Sequence, residues 1–475
     1  MRYNEFIKQA EIKTKLQPHQ QEALKRALTG DVILAHSLGS GKTLTSIAIA
    51  DALNKPTTVF TPASLVANYL KEIKKHKKGG PPIDVISLPT AVLRNYDIPE
   101  GNTVILDEAH TFRNPDTRKY QYMKKQLADA GRVVALTGTP AYNNLSDWGP
   151  LANLVARKKL VPDNFTEFKK RYIREIIKNP SWWQRLWYNA QPSVTEKLKN
   201  AEELHEKLAP YVHMYDAEVE KPKRIDETIT VDMTKDQEEL YNYVVGSLPP
   251  SLRWKLKMNL APSKQEAKFL NAFLTGARQV SNTPEEYQLN ANPGKKIRVA
   301  AKNLIKMYKN DPGFRALVYS NYIGSGLSSY GRMLTRAGIP YAKFTGNLTP
   351  EKKKKVVEDY NAGKVPVILG SGSASEGLDL KNTKLIQLLD PHFNNSRLEQ
   401  VIGRGIRYKS HDSLPPEKRK VLVQHYLSTL QSDTDWLGRP KPNASDDQYL
   451  TSRSEEKDQL IKEFKEALKG WQAAK

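Results

Sequence analysis

The chain has 475 residues, enough for about three domains at ~100–200 residues each, and its 39% hydrophobic and 27% charged residues can bury several cores. A mean hydropathy of −0.61 and the lack of any run of 18 apolar residues argue against a membrane-spanning helix, while the absence of cysteine excludes disulfides, thiolate nucleophiles and Cys-ligated zinc and fits a reducing cytosol. Lysine plus arginine number 74 against 52 aspartate plus glutamate, and the resulting +22 points to a polyanionic partner, nucleic acid first, over a merely basic protein.

The first ten residues, MRYNEFIKQA, lack the apolar stretch of a signal peptide. From Lys13 to Leu154, short apolar runs alternate with helical patterns. The runs are Asp31–His36, Thr57–Thr61, Thr103–Leu106 and Arg132–Leu136; Gln20–Leu28 and Leu65–His76 are helical stretches among them. Such alternation predicts a parallel sheet covered by helices. The pattern resumes from about Val299 to Leu427, with strands expected at Ala316–Ser320, Val365–Ser371, Leu385–Leu389 and Val421–Tyr426. Between the two α/β units, about 155 to 290, the sequence predicts a mostly helical region with one strand, Arg224–Val231. Gly438–Asp447 (GRPKPNASDD) has the composition of a linker, and a helix is expected from Ser454, with Leu460, Ile461, Phe464, Leu468 and Trp471 on one face.

Two motifs carry chemistry. Ala35–Thr43 (AHSLGSGKT) follows a predicted strand and opens a predicted helix, Thr43–Leu53. A glycine-rich turn there lets backbone N–H groups of Gly39, Ser40 and Gly41 cradle phosphate oxygens beside the positive end of the helix. Lys42 would reach the β/γ-phosphates and the Thr43 hydroxyl would bind Mg²⁺. The strict pattern fails at His36, which stands where a glycine is usual, and the competing reading is a plain glycine-rich turn. The second motif is Thr103–His110 (TVILDEAH). Asp107, at the carboxyl end of its strand, can hold Mg²⁺, and Glu108 can take a proton from attacking water. About 65 residues separate Lys42 from Asp107, which places both at one sheet edge. A lone DEAH would be read as a solvated strand end.

With these two boxes the chain resembles the helicase superfamily two ATPases. Leu16–Gln20 (LQPHQ) is similar to their adenine-reading segment, and Val59–Leu70 to their first nucleic-acid-contact motif. Leu136–Leu145 (LTGTPAYNNL) and Thr230–Tyr241 are similar to segments of the Swi/Snf-type remodelling ATPases, as are Gly372–Leu380 (GSASEGLDL) and Gln400–Arg407 (QVIGRGIR). Tyr408–Pro416 (YKSHDSLPP) resembles the poxvirus nucleoside triphosphate phosphohydrolase and related viral and phage ATPases. Asp379 and Gly403 depart from the remodeller pattern, which favours the viral branch. The resemblance spans roughly residues 14 to 430.

It implies an α/β fold of two RecA-like lobes with ATP in the cleft between them: residues 1–154, a helical insertion at 155–290, a second lobe at 291–432, and a linker with C-terminal helix at 433–475 that docks on the second lobe. Gln20 would join the loop in binding ATP, Gly377 and Asp379 would lie near the ribose, and Arg404 and Arg407 would face the γ-phosphate from one face of a helix. His110, Thr137, Thr139 and Gln400 would couple hydrolysis to the nucleic acid, which Pro62, Ala63 and Ser64 and, on the other lobe, Ser320, Asn321, Thr345 and Gly346 would contact through phosphates.

The function so implied is an Mg²⁺/ATP-dependent motor that moves along double-stranded DNA without separating the strands, in host cytoplasm or virion. The alternatives are a strand-separating DNA or RNA helicase and a non-hydrolysing nucleic-acid scaffold. Trp182, Trp183, Leu186 and Trp187 share a helical face and are read as packing of the middle region, with a partner-docking surface or a base wedge as the sharper options. A protein partner could also use the C-terminal helix. The lysine runs at 71–78 and 352–355 are read as solvated faces adding DNA affinity. Nine histidines show no zinc-ligand spacing.

Overall fold

The computed structural model describes residues 12–37, 39–138, 145–178, 193–215, 221–250, 252–253, 275–287, 292–375, 378–392, 395–431 and 445–473. They fall into two compact units. One comprises residues 1–176, 196–219 and 457–475, the other 177–195 and 220–456.

The first unit opens with α1 (Pro18–Thr29) and β1 (Val32–His36), then α2 (Lys42–Ala52), β2 (Thr57–Thr61) and α3 (Val66–His76). It continues with β3 (Ile83–Ser87), α4 (Leu88–Arg94), β4 (Thr103–Leu106), α5 (Arg118–Gln126), β5 (Arg132–Thr137), α6 (Trp148–Ala156) and α7 (Phe165–Tyr172). Strands β6 (Ile173–Lys178) and β7 (Ser193–Leu198), each divided between the two units, form a two-stranded sheet of their own, and α8 (Ala201–Leu208) leads to β8 (Val212–Tyr215). Six strands make a parallel sheet in the order β3-β2-β4-β5-β1-β8. Strands β1, β2 and β4 are buried along their whole length because helices cover both faces, and that is why they read as continuous apolar runs. Helix α1 buries Gln20, Ala23, Leu24 and Ala27, the spacing of a single helical stripe. One core, with Ile33, Leu106 and Trp148, lies on one side of the sheet; another, with Leu34, Ile49 and Ile105, lies on the other.

The second unit carries β9 (Lys223–Asp232), α9 (Lys235–Gly246), α10 (Lys295–Lys309), β10 (Ala316–Tyr319), α11 (Ser329–Arg336), β11 (Tyr341–Phe344) and α12 (Pro350–Asn361). Then come β12 (Val367–Gly370), β13 (Leu385–Leu388), α13 (Asn395–Gly405) and β14 (Lys420–Thr429). Its sheet is also parallel, ordered β11-β12-β10-β13-β14-β9. The last helix, α14 (Asp446–Ala473), starts in this unit.

Four expectations change. Among the described residues the middle region holds more strands than the one expected at Arg224–Val231: besides β9, which extends the second sheet, β8 extends the first and β6 with β7 forms a third. A four-residue strand with His213 at its centre shows no period that a sequence pattern can reveal. The half-exposed strands β3 and β11 also went unread. The C-terminal helix starts at Asp446, inside the expected linker, and it does not belong to the second unit alone. Tyr449 and Leu450 pack in the second unit, whereas Leu460 and Ile461 join a core of the first. Finally, α13 ends at Gly405, so Arg404 sits in its last turn and Arg407 lies beyond it; the two do not share a helical face. The tryptophan run at 182–187 lies outside the described residues.

Candidate nucleotide site

All strands of the first sheet run the same way, so the loops leaving β1 and β4 emerge at one edge. Strand β1 ends at His36, and Ser37 N–H donates to the Tyr215 carbonyl of β8 at 2.9 Å. Gly39 and Gly41 follow with φ of 87° and 77°, left-handed values that a side chain would strain. Gly41 is the cap of α2, and no side chain caps that helix end, which suits an incoming anion. Lys42 Nζ donates to the carbonyls of His36 at 2.9 Å and Ser37 at 3.3 Å, spanning the loop where phosphate oxygens would replace these acceptors. Thr43 lies in the first turn of α2.

Gln20 is buried against this loop. Its Oε1 accepts from Gln17 N–H at 2.9 Å, and its Nε2 donates to the carbonyls of Ser40 and Gly41 at 3.4 Å each. Gln20 thus braces the backbone of the loop.

The acids follow β4. Asp107 accepts from the Thr61 hydroxyl at 2.8 Å and from Glu108 N–H at 3.0 Å. Burial, then the neighbouring Glu108 charge, pushes its carboxyl up to about 6; those hydrogen bonds and the Lys42 charge act in the opposite sense. Glu108 has φ 48° and ψ 48°, a left-handed conformation that costs energy in a residue other than glycine and that recurs at functional sites. His110 Nδ1 lies 3.3 Å from the Glu108 carboxylate. Thr137 ends β5, fully buried and in register with Ala35 of β1. The structure thus gathers Lys42, Thr43, Asp107, Glu108, His110 and Thr137 at one edge of one sheet. Thr139 lies outside the described residues.

Two histidines that the sequence pattern did not single out, His19 and His213, join His36 at the loop. His36 Nε2 and His213 Nδ1 are hydrogen-bonded at 2.7 Å, and His19 Nε2 donates to the Ser40 carbonyl at 2.9 Å while its ring stacks on Tyr215 at 3.7 Å. Burial, reinforced by His213, Lys42 and His19, depresses His36 from 6.5 to about 3; burial also depresses His213. The unfolded chain binds protons below pH 6.5 that the folded unit refuses. Stability should therefore fall as the pH drops from 6.5 towards 3, by up to ~1.4 kcal/mol per pH unit per histidine. Urea unfolding should show a lower midpoint at pH 5 than at pH 7.5, and equal midpoints would contradict the neutral state of the pair.

In the second unit, Gln400 and Arg404 lie on α13. Arg407 Nη1 stands 3.3 Å from Asp379 Oδ1, both well exposed, so these two residues form a surface ion pair. Gly377 is outside the described residues. Of the proposed phosphate contacts, Ala63 and Ser64 are exposed in a short turn capped by Pro62. Gly346 is exposed and its neighbour Thr345 is buried. Ser320 is a correction: its side chain is fully buried and its hydroxyl donates to Asp390 at 2.8 Å, so it faces inward. Asn321 N–H donates to the same carboxylate at 2.6 Å.

The SNF2-related domain family matches residues 83–286, and the helicase conserved C-terminal domain matches residues 296–409. Together these spans take up well over half of the chain. The chain belongs to the SNF2-related, Swi/Snf-like branch of the helicase superfamily two ATPases. It is an ATP hydrolase of that type. The phosphate loop lies ahead of the first matched span. A protein of Acanthamoeba polyphaga mimivirus named as an ATP-dependent RNA helicase is 29% identical over 449 residues, covering 91% of this chain and 92% of the relative. The termination factor NPH-I homolog of African swine fever virus (isolate Tick/Malawi/Lil 20-1/1983) is 22% identical, covering 93% of this chain and 76% of its own. Among solved structures, the Sulfolobus solfataricus SWI2/SNF2 ATPase core in complex with dsDNA matches with a TM-score of 0.38 and 17% identity over 89% of each chain, too distant a likeness to argue from. Among the described residues, no helix is long and apolar enough to cross a membrane.

Proposed function

We propose that this ATPase is a motor that moves along double-stranded DNA without separating its strands, driven by Mg²⁺-ATP. The observation that carries the nucleotide half is the meeting of the phosphate loop and the acidic pair at one edge of the first sheet. Lys42 would exchange its two carbonyl partners for phosphate oxygens. Glu108 would accept a proton from the attacking water, and its fixed left-handed backbone pre-orients it for that role. Mg²⁺ fits the donor set of Thr43 and Asp107: a buried carboxyl whose charge is disfavoured gains from a hard cation beside it. When bound, the ion would neutralise phosphate charge. Arg404 keeps the transition-state role implied by the family. For Arg407, whose guanidinium is paired with Asp379, the same role requires that exposed pair to open.

The +22 charge supports a polyanionic track read through its backbone. A second reading, movement on RNA, has one specific support: the mimivirus relative is named as an RNA helicase. ATPase rates measured with double-stranded DNA, single-stranded DNA and RNA in parallel separate them. Double-stranded DNA should stimulate most, and the enzyme should displace a third strand from a triplex while leaving a forked duplex closed. Greatest stimulation by RNA, or fork opening without triplex displacement, would reject the proposal.

A further inference from the structure

His36 occupies the position at which strict phosphate loops carry glycine, yet its ring is fully buried. Its backbone carbonyl holds Lys42 Nζ, and its ring Nε2 meets His213 Nδ1 at 2.7 Å. His36 Nδ1 is buried with no hydrogen-bond partner among the described residues. His213 Nε2 faces the Glu22 carboxylate at 3.6 Å, and a carboxylate can only accept, so His213 carries its proton on Nε2. Its Nδ1 is then the acceptor, and His36 Nε2 donates to it. The order Glu22, His213, His36 thus runs from an exposed carboxylate to the residue that opens the phosphate loop. Strand β8 also holds the loop through its backbone, since Tyr215 accepts from Ser37 N–H, and through the Tyr215 ring stacked on His19, which donates to Ser40.

We infer that His213, carried by β8, is a positioning residue for the phosphate loop and acts through His36. It makes no phosphate contact itself. By accepting from His36 it fixes the ring, and with it the carbonyl that holds Lys42 and the exit of the chain into the glycine turn. The charged and titratable groups facing the pair are His19, Glu22 and Arg26 from α1, Lys42 from α2, and Tyr215 from β8 itself. Protonation of His213 on Nδ1 removes the acceptor and sets two N–H groups against each other, which turns the His36 ring away and disturbs the loop it opens. ATP affinity should then fall on the acid side.

The inference rests on the loop binding ATP, so direct binding of a fluorescent ATP analogue to the full chain comes first. A parent protein that binds none overturns the nucleotide reading and this inference with it. With binding established, ATP KM and kcat are measured from pH 5.5 to 8.5 for the parent, His213→Ala, His213→Gln, His36→Gly and the His36→Gly/His213→Ala double variant. At pH 8, His213→Ala should raise KM about tenfold, the worth of one buried hydrogen bond left unmade, with kcat within about twofold. Gln can accept from His36 but cannot take up a proton. His213→Gln should therefore keep KM within about threefold at pH 8 and show a smaller acid rise than the parent. In the His36→Gly background, His213→Ala should change nothing more. Thermal unfolding monitors folding throughout; if the alanine variants unfold, the glutamine profile decides. A His213→Gln profile that superimposes on the parent at every pH, or a full His213→Ala effect without His36, overturns the inference.

Discussion

Glu108→Gln should bind ATP as the parent does and hydrolyse it about a thousandfold more slowly, the loss expected when a general base is removed. Burial and the Glu108 charge together hold the Asp107 carboxyl up at about 6. Removing that charge lets Asp107 return towards the ordinary carboxylate range, so the variant should unfold no earlier than the parent at neutral pH. Glutamine also preserves the side-chain length at a backbone already set at φ 48°. The expected signature is therefore unchanged affinity, unchanged or slightly raised stability, and lost turnover. Single-turnover hydrolysis with pre-bound ATP reads the chemical step directly. A kcat within tenfold of the parent would remove Glu108 from the chemistry.

Lys296→Met should produce the largest loss of stability, roughly 3–5 kcal/mol, because it strips the cation from a buried ion pair. Lys296 Nζ lies 2.6 Å from Asp447, and both side chains are 1% exposed. Asp447 also accepts from Ser428 N–H at 2.8 Å. Next to it, buried Asp446 accepts from the Ser281 hydroxyl at 2.6 Å, and its backbone N–H donates to the Tyr241 hydroxyl at 2.9 Å. Burial and Asp447 already push the Asp446 carboxyl upward. Without Lys296 the two carboxylates face each other with less to offset them. The deficit should shrink at pH 5 relative to pH 8, since protonation then relieves the stranded charge. Lys296→Met/Asp447→Asn should recover part of the loss, because the cost lies in the uncompensated charge. Urea unfolding of the full chain measures all three, and a single variant within about 1 kcal/mol of the parent would show that the pair holds little.

These aspartates show why composition misleads. Asp446 and Asp447 end a stretch of Pro, Asn and Asp that has every compositional mark of a linker. They are buried because Lys296, Ser281 and Tyr241, far away in the chain, converge on them together with Ser428. Ser320 makes the same point in reverse: a hydroxyl after a strand suits a phosphate contact, but Asp390 lies beside it and accepts its hydrogen bond. Arg407 left the helix of Arg404 because the helix ends at Gly405, and helix ends are set by local geometry that a spacing rule ignores.

The two parallel sheets and the nucleotide chemistry could be read directly from the amino-acid order. Strands buried on both faces must be apolar throughout, and a phosphate loop or an acidic box needs its residues a few positions apart on one short segment. Such signals are local, so they survive in one dimension. The places of β8 and β9 at their sheet edges, the burial of Lys296 with Asp446 and Asp447, and the meeting of His36 with His213 were decided only in the folded chain. Each depends on which segment arrives as neighbour across tens to hundreds of residues, and packing chooses that neighbour.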